Sequence, residues 1–101
     1  MEQREWFKGL DPESRIAVVT QGRPPDRYVV RLEALIEGSW RTIHLFDNAH
    51  GQHDEHSYVG DAKQPAREFF VGAATQALPA AIDLLDNNWP AIMRRWKEKR
   101  T

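Results

Sequence analysis

All four histidines of the chain fall between residues 44 and 56, in the run His44-Leu-Phe-Asp-Asn-Ala-His50-Gly-Gln-His53-Asp-Glu-His56. Imidazole titrates nearest neutrality of all side chains, so two histidines can take a proton from one group and give it to another in a single reaction. Asp47, Asp54 and Glu55 stand beside them, and a carboxylate on the ring's other nitrogen orients an imidazole and raises its basicity. Three chemistries are open to such a cluster. In the first, His50 and His53 act as acid and base on a phosphodiester, one deprotonating a 2′-hydroxyl and the other protonating the leaving oxygen. His44 is then a third candidate, held by Glu33, and Asp47 is the orienting group. This reaction calls for no cofactor. In the second, His50, His53 and His56 bind a metal, although their spacing of three lacks the His-Glu-x-x-His pattern of a helical site. In the third, the histidines are solvated side chains of a polar loop whose turn Asp47 and Asn48 fix through their own backbone. Ser57 lies in no nucleophile-elbow context.

Phosphate chemistry also requires cations. Arg31 and Lys63 are candidates to stabilise charge developing on a phosphate. The segment from Arg94 to Arg100 carries five cations and one anion, a net +4 in a chain of net charge -1, so the remainder carries -5. Arg94, Arg95 and Lys97 are therefore candidates to contact RNA phosphates. The same cations equally suit the negative end of a helix dipole.

The strand ending in Phe46-Asp-Asn-Ala-His50, followed by His53 and His56, resembles the TumE-like family of small bacterial proteins, whose motif is an aspartate-asparagine pair and then histidines. The likeness covers about residues 27 to 58, and Gly51-Gln52 stands where the family has an adjacent histidine pair. The resemblance implies a toxin encoded beside a helix-turn-helix antitoxin and, by analogy, an RNA-directed protein. The alternative is a non-catalytic interaction module or homodimer, joined through the Trp40 face or a helix bearing Trp89 and Trp96. Aromatic anchors dominate interfaces, while the helical spacing of Trp89 and Trp96 also suits ordinary core packing.

The elements that must position these residues begin with a hairpin. From Tyr28 to Ile36 the even positions are apolar and the odd ones include Arg31 and Glu33, the period of a strand with one buried face. Gly38-Ser39 then predicts a type II′ turn, which places Ala34 opposite Ile43, Leu32 opposite Leu45 and Glu33 opposite His44. The run Arg15-Ile-Ala-Val-Val-Thr20 predicts a further strand. Residues 3–8 predict a helical turn pinned by Trp6 and Phe7, and residues 50–55 a loop returning to a short strand near His56. Apolar residues at spacings of three and four predict a helix over about 64–86, kinked or divided at Pro79. A final helix opens at Pro90.

These elements amount to one α+β domain over residues 1–101: a small antiparallel sheet of three or four strands and a helical C-terminal half packed on one face. A chain of 101 residues, 41% hydrophobic, has room for one core. It has no cysteine, which excludes disulfides and thiolate chemistry. The acidic start lacks the basic and apolar stretches of a signal peptide, and no apolar run approaches a membrane span, so the expected setting is cytoplasmic with no membrane partner.

Overall fold

Alternating apolar and polar side chains build strands over most of the first seventy positions, well beyond the hairpin and its immediate neighbours. The computed structural model describes residues 2–99. It contains β1 (Gln3–Asp11), β2 (Ser14–Gln21), β3 (Arg27–Ile36), β4 (Ser39–Asp47), β5 (His53–Val59), β6 (Ala62–Lys63), β7 (Arg67–Phe70) and one helix, α1 (Ala74–Lys99). The strands form a single antiparallel sheet ordered β1 to β6 in chain order, with β7 also paired to β5. The fold is α+β, but the expected three or four strands and helical C-terminal half are corrected to seven strands and one helix. No helix among the described residues is long and apolar enough to cross a membrane.

Three local expectations fail for identifiable reasons. Residues 3–8 belong to β1, whose pairing runs from Gln3↔Gln21 to Gly9↔Arg15, so cross-strand hydrogen bonding replaces the helical turn. Residues 67–70 belong to β7, because Arg67 and Glu68 pair with Glu55 and Asp54. The apolar spacing there coincides with a helix without forming one. From Ala74 onward the helix runs through both Pro79 and Pro90 without a break. Both prolines lie on its exposed side, where water can bond the carbonyl that each leaves free. Its other side buries Ala77, Ala81, Leu85, Ile92, Met93 and Trp96, which pack on Ile16, Val18, Val30, Leu32, Ile43 and Phe46 of the sheet.

The β3–β4 hairpin decides where the candidate site residues point. Its turn is Glu37-Gly38, one residue earlier than predicted, with φ of 51° and 82°. Positive φ at both central positions is a type I′ turn, whose twist matches that of the flanking strands. Ile36 therefore pairs with Ser39 and Ala34 with Arg41, not with Ile43. Beyond Glu33↔Thr42 the register slips at a β-bulge that leaves Ile43 unmatched, and Leu32 then pairs with His44 and Val30 with Phe46. An extra residue moves every later side chain to the other face. His44 and Phe46 consequently face the helix, and Leu45 and Asp47 face away from it.

The turn yields a stability prediction. A non-glycine residue at positive φ costs about 1–3 kcal/mol, least for asparagine. Glu37→Asn should raise the urea midpoint, and Gly38→Val should lower stability by about 1 kcal/mol or more. Equilibrium unfolding of the two variants beside the parent checks both signs.

Candidate functional site

Because β5 pairs with β4 through Phe46↔Glu55 and Asp47↔Asp54, its alternation divides the histidine-rich run between the two faces of the sheet. His53, Glu55 and Ser57 face the helix. Asp54 and His56 face away. Residues 53–56 are thus strand and not loop, which separates most of the predicted pairs.

On the helix side, His44 Nε2 meets Glu55 Oε2 at 2.7 Å, and Arg67 donates to Glu55 Oε1 at 2.9 Å. The hydrogen bond from His44, reinforced by Arg67 and opposed by burial, lowers the Glu55 pKa to about 2. The carboxylate therefore stays ionised between its two donors. His44 is almost wholly buried, and its Nδ1 has no hydrogen-bond partner among the described residues. Glu33, the expected partner of His44, lies on the other face, where Arg15 donates to it at 2.7 Å. Around the His44–Glu55 pair, a cleft of about 390 Å³ opens between sheet and helix, with Arg67, Arg95 and Lys99 along it. Those three cations stand against the single anion Glu55. A second cavity extends the cleft past Phe46, Phe69 and Asn88. The Trp96 indole, which also lines the cleft, donates to the Gly60 carbonyl at 3.0 Å.

The remaining predicted residues are dispersed. His50 is exposed in the turn between β4 and β5. His53 is held at both nitrogens, Nδ1 by the Tyr28 hydroxyl and Nε2 by the Gly72 carbonyl, each at 2.8 Å. A carbonyl only accepts, so Nε2 donates to Gly72, and the second contact to Tyr28 fixes the orientation of the ring. The expected acid–base pair of His50 and His53 therefore has one member committed to structure. Asp47 makes no hydrogen bond to either ring among the described residues. The metal trio His50, His53 and His56 does not converge, since residues three apart on a strand face opposite ways. Arg31 lies on the face away from the helix and pairs with Glu33 at 3.3 Å and Glu5 at 3.8 Å. The basic C-terminal segment is split by the helix: Arg95 and Lys99 line the cleft, while Arg94 and Lys97 line a different groove beside Asp11 and Glu13. Lys63, in β6, is exposed. Arg67 went unnoticed in the sequence because its partner, Glu55, joins it only through the β5–β7 pairing.

Away from the helix, Asp47, Asp54 and His56 each offer a ligand atom within 4.8 Å of the others. All three side chains are buried. Tyr28 has its pKa raised, chiefly by burial and further by the charges of Asp47 and Asp54.

The low pKa of Glu55 has a stability consequence. A carboxylate whose pKa is lower folded than unfolded stabilises the fold above its unfolded value, near 4.5, and loses that contribution as pH falls towards 2. Urea midpoints measured across this window should fall steeply for the parent and less steeply for Glu55→Gln.

Compared with known proteins, the chain matches over residues 1–101 the family described as Domain of unknown function (DUF7718). No curated protein and no solved structure matches it.

Proposed function

We propose, for a chain that belongs to the DUF7718 family, that the cleft between helix and sheet binds RNA through its backbone phosphates. One observation carries the proposal: Arg67, Arg95 and Lys99 converge on one cleft around His44–Glu55, in a chain whose overall charge is -1. Cations concentrated against the average of the chain attract a polyanion locally, and each phosphate they neutralise releases counterions. Arg67 is held by Glu55 on one side and stays largely exposed on the other, with 80% of its side chain open to solvent. A guanidinium oriented in this way presents its remaining donors to a phosphate. The proposal is one of binding, because His44 has Nε2 bonded to Glu55 and Nδ1 buried, and His53 is bonded at both nitrogens. The toxin role implied by the motif resemblance belongs to the same reading, as a proposal that RNA is what such a toxin would act on.

A second reading, an interaction module, is favoured by β1. Its outer edge has no neighbouring strand among the described residues, and Trp6 and Phe7 on it are 42% and 48% exposed. An unpaired edge with exposed aromatics is a template for adding a strand from a partner. Trp96 is core, and the Arg15 guanidinium lies over both Trp40 and Phe7, so Trp6 is the freer of the two β1 aromatics.

Single-stranded RNA binding, followed by fluorescence anisotropy over a salt series, tests the first reading. The Arg67→Ala, Arg95→Ala double variant should bind about tenfold or more weakly, and its salt slope should shrink by roughly 0.7 for each phosphate no longer neutralised. Arg94→Ala with Lys97→Ala should change little. Equal affinity of the first double variant and the parent refutes the reading, and a stronger effect of the second pair refutes its location.

A further inference from the structure

On the opposite face of the sheet from the cleft, we infer that Asp47, Asp54 and His56 form a binding site for a divalent first-row transition ion such as Mn²⁺ or Zn²⁺. The strands place the three ligands without help from any loop. Asp47 ends β4 and stands directly across from Asp54 on β5. His56 follows two residues later on the same face, opposite Leu45.

Two carboxylates directly opposite one another on a sheet repel, and burial sharpens the repulsion because no water screens it. Asp47 is 8% exposed and Asp54 is 5% exposed. Asp47 Oδ1 is buried with no hydrogen-bond partner among the described residues. Among the described residues neither carboxylate has an ion-pair partner within 4.0 Å. Arg31, the cation on the neighbouring strand, is already paired with Glu33 and Glu5. A buried acidic pair with an orphaned oxygen is a place for a cation, and no ion pair joins a described Lys or Arg to either carboxylate.

The third ligand is prepared for metal. His56 Nδ1 donates to the Gln64 carbonyl at 2.8 Å. With Nδ1 used in that bond, Nε2 is the ring nitrogen left to face a ligand. A backbone carbonyl on the far ring nitrogen is the usual outer support of a metal-bound histidine. The carbonyl is available because the strand partnering β5 is interrupted between Lys63 and Arg67. One ligand atom from each of the three lies within 4.8 Å of the others, a spacing at which a single ion can be shared. Two carboxylates and one imidazole suit Mn²⁺ or Zn²⁺ better than Ca²⁺ or Mg²⁺, which prefer all-oxygen sets. Three protein ligands leave further coordination positions for water or a substrate oxygen.

The inference is independent of RNA binding, because none of its ligands lines the cleft. Its test is titration of the full chain, stripped with EDTA and dialysed, with MnCl₂ or ZnCl₂ by calorimetry, paired with thermal melts. The parent should bind one equivalent and melt higher with metal. Asp54→Asn and His56→Gln should each weaken binding tenfold or more, and His50→Ala, in the exposed turn, should not. Without metal, Asp54→Asn should melt at or above the parent, since it relieves the carboxylate repulsion, and this separates failed ligation from failed folding. Absence of saturable binding by the parent overturns the inference. So does binding that survives Asp54→Asn and His56→Gln in folded variants, or that His50→Ala removes.

Discussion

A single unmatched residue, Ile43, sets the chemistry of both faces of the sheet. In an antiparallel pair the side chains alternate with period two, so one extra residue in β4 exchanges the faces of everything beyond it. Before the bulge Glu33 faces Thr42; after it Leu32 faces His44 and Val30 faces Phe46. The β4–β5 pairing then carries the exchange across to β5. Without the bulge His44 would stand beside Glu33 and Arg31, and the helix side would receive Leu45 in place of the hydrogen-bonded His44–Glu55 pair. Ile43 keeps its place on the core side, next to His44, and is among the most buried of the described side chains.

The two faces solve the problem of coverage differently. One helix shields the first, and its apolar stripe of Ala77, Ala81, Leu85 and Ile92 allows close approach to β3 through β5. The second face has no helix among the described residues. There Arg15 lies over both the Phe7 and Trp40 rings, 4.1 Å from each centroid, while donating to Glu33. Cation–π interactions of this kind are worth about 0.5–2 kcal/mol each, and the long side chains cover apolar surface as they make them. A charged network thus replaces a packed layer. It also explains why Arg31 is held by neighbouring acids instead of offered to a ligand.

Four histidines within thirteen positions acquire four environments. His44 is locked to a carboxylate, His53 to a tyrosine and a carbonyl, and His56 to a carbonyl, while His50 alone is exposed in the turn. Their clustering in sequence reflects a strand–turn–strand unit that carries polar groups to both faces and to its tip. Proximity along a strand is a poor guide to proximity in space, because neighbours on it point apart.

Local residue pattern was enough to specify the alternation of β3, the strand at β2 from its β-branched run, the position of the β3–β4 hairpin to within one residue, and the helical stripe ending in Trp96. Each is written in a short period, in a β-branched run or in a glycine at a turn. The amount of sheet was not legible, because β1, β6 and β7 become strands only by hydrogen bonding to partners already in place, and Arg67-Glu-Phe-Phe70 has a spacing that fits helix as readily as strand. The continuity of α1 through two prolines was not legible either; it depends on both rings falling on the exposed side. Above all, the make-up of the candidate site was a tertiary matter. The residue types were visible in the run from His44 to His56, but a β-bulge leaves no reliable local mark. Its one-residue slip decided that His44 meets Glu55 and Arg67 on one face while Asp47, Asp54 and His56 converge on the other.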